Sequence, residues 1–377
     1  MKNVIVIPDS FKGTVSSAEF CDIAKRVINR SMPQCEVSCL PVADGGEGSV
    51  DAFLTACGGE KRRLFVCGPY MEKTESFYGV LPDGTAVIEM AAAAGLPMVG
   101  DNKHAEKTTT YGVGELILDA VNKGAKKIVL ALGGSATNDG GCGAAAAMGV
   151  RFFDKDKNCF VPVGETLKDV CHIDVSLAKQ RLADVEITAM CDIDNPMYGP
   201  NGAAYVFAPQ KGADEACVKM LDDGLKSLAE VIFSELGIRV DDIPGAGAAG
   251  AFGAGAVAFF GAKMTMGINA VLDAVDFDRR LENADLVISG EGKLDSQSLR
   301  GKVVIGIAKR TKAKNVPLIA VVGDVGDSYE KAYDMGVSAI FSINRVAVPF
   351  SEARLRSKAD LEASLEDIFR FAAVISR

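Results

Sequence analysis

The 377 residues exceed what one hydrophobic core usually organises, so two domains are expected, and 48% hydrophobic with 24% charged residues is ordinary globular composition. A net charge of −9 argues against a nucleic-acid backbone or an anionic membrane as partner; an acidic chain that handles phosphate must do so locally, with backbone N–H groups, a few lysines and a divalent metal. Ten cysteines without a CxxC pair, and only His104 and His172, give no zinc pattern, and no apolar run reaches the ~18 residues of a membrane span.

The apolar residues 3–8 read as a strand, since the run meets Pro8 and Asp9 and lacks a cleavage site. A helix is expected from Ser16, with Glu19 closing a capping box and Phe20, Ile23, Ala24, Val27 and Ile28 on one face. Residues 36–42 repeat the pattern as a strand, followed by the loop 43–48 and a helix over 49–56. Strand, glycine-bearing loop, helix is parallel α/β wiring. Residues 63–67, 75–80 and 85–89 look instead like an antiparallel meander, and it leads into a helix over 112–122 that Gly124 closes. Thr108–Thr110 are expected to cap that helix. A strand at 127–132 precedes a small-residue helix at 142–148, and another is expected at 185–190. Parallel wiring returns with strands at 284–289, 316–322 and 338–343, a long polar loop at 290–301, and helices at 302–311, 329–335 and 357–375. The simplest architecture is α/β with two domains: a Rossmann-like parallel-sheet domain of residues 1–61 and 265–377, interrupted by an inserted mixed α/β domain of 62–264.

Loops leaving the C-terminal ends of parallel strands share a crevice where ligands bind. That topology gathers PDSFKG (Asp9, Ser10, Lys12), ADGGEG (Asp44, Glu47) and GEGKLDSQSLRGK (Glu291, Lys293, Asp295, Gln297, Lys302). Carboxylates beside lysines suit Mg²⁺ and anion handling, with oxygen ligands for the metal and ammonium groups for phosphate or carboxylate. A fourth loop, Gly133, Gly134, Ser135, Ala136, Thr137, Asn138, Asp139, Gly140 and Gly141, has no bulky side chain. Its glycines permit close approach, and the helix start behind it is expected to offer N–H groups to phosphate. It is not a Walker A sequence. Gly245, Gly247 and Gly250 spell GxGxxG, but no strand precedes them, so they read as a loop into a close-packed helix rather than an NAD site. After the strand at 185–190 come Asp192, Asp194 and Asn195, with Lys211 downstream. No nucleophilic serine or cysteine has a histidine base, so a general base should be a carboxylate.

PDSFKG, ADGGEG, GGSATNDGG, CDIDNP…GPNGAAYVFAPQKGA, GAGAAG and GEGKLDSQSLRGK, in that order, resemble the motifs of the type-1 glycerate kinase family. Departures are small: Lys293 stands where an arginine is frequent, and Val113 where a hydroxyl residue is commoner. The resemblance implies transfer from ATP to D-glycerate with Mg²⁺ in a cytoplasmic enzyme, with 2-phosphoglycerate as product and 3-phosphoglycerate as the alternative. A kinase of another hydroxy acid and a non-catalytic sugar-acid sensor are the rivals. Loop placement then suggests Gly133, Gly134, Ser135, Thr137, Asn138 and Lys302 for ATP, and Asp44 and Glu47 for Mg²⁺. Asp9, Ser10, Glu291 and Lys293 are expected at the substrate, and Asp192, Asp295 and Lys12 at the chemistry. A homodimer is left open.

Overall fold

The computed structural model describes residues 1–11, 13–42, 46–296 and 298–375. The chain forms two compact α/β units, residues 1–44, 55–57 and 266–377 in one and residues 45–54 and 58–265 in the other. The fold is a Rossmann-like parallel-sheet domain interrupted by a mixed α/β domain. The grouping differs from 1–61/62–264 around the helix Ser49–Cys57, whose first turns lie with the second unit. The reason is local: Val50 N donates to Glu89 Oε2 at 3.0 Å, and the side chains of Val50 and Leu54 lie over Gly79. Among the described residues no helix is long and apolar enough to cross a membrane.

In the first unit the sheet order is Ala339–Ser342, Leu318–Val325, Leu286–Leu294, Asn3–Val6, Glu36–Cys39, with every neighbouring pair parallel. Val4, Val6 and Ile288 are buried, as strands covered on both faces must be. The helix Ser17–Ser31 carries the expected capping box, with Glu19 N donating to Ser16 Oγ (3.2 Å) and Ser16 N to Glu19 Oε2 (2.9 Å). Its stripe of Phe20, Ile23, Ala24, Val27 and Ile28 shares a core with Leu361, Leu365 and Phe369 of the helix Phe350–Ile375, which starts a full two turns earlier than its sequence pattern suggests. The strand expected at 284–289 runs on to Leu294, because its neighbour continues to Val325 and pairs Glu291 with Val322 and Lys293 with Asp324. Glu291 and Lys293 are therefore strand residues, not loop residues.

The second unit is built on Lys263–Thr265, Glu186–Met190, Lys127–Ala131, Ala86–Glu89, Lys73–Val80 and Glu60–Cys67, in that order. Its first four strands are parallel, and the expected meander adds the last two antiparallel. A small antiparallel sheet of Cys159–Phe160, Arg151–Phe153 and His172–Asp174 stands beside it. Cys21, Cys35, Cys142 and Cys191 are buried, whereas Cys159 and Cys171 lie on the surface around that small sheet. His104 and His172 are exposed, yet each has a carboxylate partner: His104 Nδ1 is 3.1 Å from Glu106 Oε1, and His172 meets Glu235.

Candidate active site

In the first unit, Asn3–Val6 and Leu286–Leu294 lie side by side, so the segments leaving their C-terminal ends emerge together. Ile7 N donates to Ile288 O and Asp9 N to Gly290 O, both at 2.8 Å, extending the pairing into PDSFKG. Asp9 is half-buried, and its Oδ1 accepts the N–H of Ser10 at 2.6 Å. Across the ladder, Glu291 is only 5% exposed and its Oε1 has no partner among the described residues. Burial pushes its carboxyl up to about 8; Asp9 and Asp295 push the same way, while a hydrogen bond with Ser298 and the Lys302 ammonium oppose them. Its burial thus favours the protonated acid near neutral pH.

The loop beyond is closed by Ser298. Its N–H reaches Asp295 Oδ1 (3.4 Å), its Oγ accepts from Asp295 N (3.3 Å), and its hydroxyl donates to Lys293 O (3.1 Å). Lys302 follows at the N-cap of the helix Val303–Ala313, with its N–H on Ser298 O at 3.2 Å. Asp9, Glu291, Asp295 and Lys302 thereby share one strand end. Lys293 is exposed, 4.0 Å from Asp324. Lys12, Asp44 and Gln297 lie outside the described residues, and Glu47 is an exposed carboxylate in the turn before Ser49–Cys57.

The second unit holds the glycine-rich loop, at the end of Lys127–Ala131. It is pinned by Ala136 N to Ala94 O (2.9 Å) and by Leu96 N to Gly134 O (2.8 Å). Gly134, at φ +76°, is exposed at the tip, and Gly133 is half-buried. The helix start behind the loop does not offer the N–H groups expected of it. Asp139 is fully buried, and its carboxylate accepts Thr110 N (2.8 Å), Thr110 Oγ1–H (2.8 Å), Gly141 N (3.1 Å) and Gly143 N (3.2 Å). Thr110 Oγ1 in turn accepts Ala144 N at 2.9 Å. Burial pushes the Asp139 carboxyl up, and these donors pull it back. Of the expected threonine caps, Thr109 acts at the helix start, its Oγ1 accepting Tyr111 N at 3.2 Å. Thr110 occupies the N-cap of Tyr111–Asn122 without a side-chain cap bond, and Thr108 Oγ1 donates to Ala136 O at 2.9 Å.

Beneath the loop lies Lys211, 2% exposed, whose Nζ donates to Ser135 Oγ and to Thr137 O, each at 2.7 Å. Thr137 and Asn138 are fully buried, and Thr137 Oγ1 and both amide atoms of Asn138 have no partner among the described residues. The GxGxxG segment packs against the same backbone: Gly140 N donates to Gly250 O (3.0 Å) and Gly247 N to Asn195 O (3.0 Å). It opens the helix Ala248–Phe260 with Ala249, Gly250 and Ala251 all left-handed, a geometry unrelated to a dinucleotide turn. Asp192 is half-buried after the strand Glu186–Met190, Asp194 is exposed, and Asn195 Nδ2 donates to Asn201 O at 2.8 Å.

Sequence reasoning gave Lys211 and Asp139 no role. An aspartate three residues before a helix carries a capping signal that was there to be read. Lys211 carries none, because burial of a lysine is decided by what packs over it.

A strand-end cluster of carboxylates with a lysine, and a separate glycine-rich loop backed by a second lysine, are the parts of an α/β phosphotransferase. The chain belongs to the glycerate kinase family, whose pattern matches residues 4–373, and it is accordingly an ATP-dependent kinase. A glycerate kinase of Bacillus cereus (strain ATCC 10987 / NRS 248) is 42% identical over 367 residues, 97% of this chain and 96% of that one. A protein named glycerate 2-kinase from Escherichia coli (strain K12) is 42% identical over 342 residues, 90% of each. A crystal structure described as a glycerate kinase 2 from Salmonella typhimurium LT2 superposes with a TM-score of 0.87 at 36% identity, covering 100% of this chain and 99% of that one.

Proposed function

We propose that this kinase transfers the γ-phosphoryl of ATP to the C2 hydroxyl of D-glycerate, giving 2-phosphoglycerate and ADP. Family membership across nearly the whole chain carries the substrate class, and the name of the Escherichia coli relative supports the C2 position. Phosphoryl transfer needs positioning and charge neutralisation more than covalent chemistry. The glycine-rich loop, through Gly133, Gly134 and Ser135 with Thr137 and Asn138 behind them, holds nucleotide phosphate, and Lys302, at the N-cap of Val303–Ala313, offers a cation for phosphate. Asp9, Ser10, Glu291 and Lys293 bind the substrate, and a buried, neutral Glu291 can donate a hydrogen bond to its carboxylate. Lys12 adds charge to that carboxylate, and Asp295 or Asp192 accepts the hydroxyl proton.

Mg²⁺ typically takes one or two protein carboxylates plus phosphate oxygens, so an exposed glutamate such as Glu47 fits, with Asp44 beside it in sequence. The ion would neutralise charge on the β- and γ-phosphates. This reading takes the enzyme to be cytoplasmic, with the homodimer as the assembly to test by light scattering.

One assay tests the reading. The protein is incubated with ATP, Mg²⁺ and D-glycerate, ADP is followed, and the product is coupled to enolase without a mutase. Signal without mutase is expected, since enolase consumes 2-phosphoglycerate directly. ADP without enolase signal would move the product to 3-phosphoglycerate, and no ADP would reject glycerate as substrate.

A further inference from the structure

Lys211 ends the short turn Pro209–Lys211 and is sealed beneath the glycine-rich loop. Its two hydrogen bonds, to Ser135 Oγ and Thr137 O, are the two that a neutral amine can donate; an ammonium has a third N–H, for which no partner exists among the described residues. Burial brings the group down to about 7, and the field of Asp139 works the other way. Asp139 is the charged group acting on it from the loop. Cys142, at the following helix, is a buried thiol pushed well above its ordinary value, and Lys103, on the turn against Gly212, is exposed. In the same loop, Thr137 Oγ1 and the Asn138 amide are buried and without a partner among the described residues. A loop needing only a tie would be held by its backbone bonds to Ala94 and Leu96. Setting an ionisable amine under unsatisfied polar atoms suits a site whose charge changes on occupation.

We propose that Lys211 is a positioning residue for the nucleotide: it fixes Ser135 and Thr137 so that the Gly133–Gly134 backbone meets the phosphates, and it takes up a proton as those anions dock. The inference rests on the reading that this loop holds the phosphates. An anion nearby favours the charged amine, and a charge within reach moves such a group by roughly 1–3 units. At pH 8 the amine is mostly neutral when the loop is empty and half to fully charged when it is filled, an uptake of roughly 0.4–0.9 proton.

Calorimetric titration with a non-hydrolysable ATP analogue and Mg²⁺ at pH 8, in Tris and in HEPES, reads this uptake. The wild type should take up about 0.4–0.9 proton more than Lys211→Arg, whose guanidinium is always charged. Lys211→Met should bind at least ~10-fold more weakly, with KM for ATP rising more than kcat falls. Wild-type affinity alone should weaken from pH 8 to 9, so the test survives a variant that misfolds. Equal proton uptake by wild type and Lys211→Arg, or pH-independent affinity, would overturn the role of Lys211. Gly134→Asp separates the underlying reading, because it adds charge at an exposed, positive-φ tip that aspartate tolerates. Unchanged nucleotide affinity in that variant would remove the loop from the phosphates altogether. Weakened affinity there, with no Lys211 linkage, would sink only the present inference.

Discussion

Glu291→Gln should make the protein more stable while making it a worse enzyme. The carboxyl sits at about 8 in the folded chain against 4.5 unperturbed, because burial penalises its ionised form. Between those values the folded state holds a proton that the unfolded state releases, so the contribution is fully present below pH 4.5 and is lost as pH rises through 8. Linkage puts the cost of wild-type Glu291 at about 3 kcal/mol at pH 7, and its growth between pH 5 and 8 at about 3–4 kcal/mol. Glutamine has the same shape and does not titrate. Urea unfolding followed by far-UV circular dichroism, which suits a chain without tryptophan, should show the two proteins converging near pH 5 and the variant gaining steadily toward pH 8. Turnover with glycerate should fall in the same variant, since Glu291 is placed at the substrate. A stability difference that stays flat from pH 5 to 8 would refute a buried, neutral Glu291.

Gly250→Ala should cost at least ~2 kcal/mol by thermal unfolding, because its Cβ would lie 1.9 Å from Thr137 O at φ +66°; Gly134→Ala, 3.4 Å from Ala91 Cβ, should cost only ~1 kcal/mol. Asp139→Ala leaves four buried donors without an acceptor and should cost roughly 3–5 kcal/mol in chemical denaturation, with Asp139→Asn less damaging. If Asp295 or Asp192 is the base, one of Asp295→Asn and Asp192→Asn should lower kcat at least ~10²-fold with an unchanged melting temperature; near-normal turnover in both would return the role to another group.

The fold was legible where local pattern and tertiary need agree. The capping box at Ser16 and Glu19 and the apolar stripe behind it are short-range signals, and the helix formed on them. The meander was readable because its turns are local. The extension of Leu286–Leu294 was not, since a polar stretch such as 290–294 becomes strand only when a neighbour such as Leu318–Val325 runs long enough to pair with it. The same holds within the candidate site. Glycines at 133, 134, 140 and 141 advertise a tight loop, but which atoms fill the N–H groups behind it depends on Asp139 meeting Thr110 from 29 residues away. Lys211 reaches Ser135 across 76 residues, a distance at which composition is silent about burial.

The first sheet has a consequence for synthesis. Its central pair, Asn3–Val6 with Leu286–Leu294, joins segments made at opposite ends of translation. At ~5–20 residues per second the N-terminal strand waits roughly 15–60 s for its partner to leave the ribosome. Meanwhile the strands from Glu60 to Thr265 are already out and can close their own core. The inserted unit is then the natural first folder, and the helix Ser17–Ser31 must keep its apolar stripe covered or chaperoned until the C-terminal third arrives. A nascent chain halted after Thr265 should hence be protease-resistant from Ser49 onward and cleavable before it.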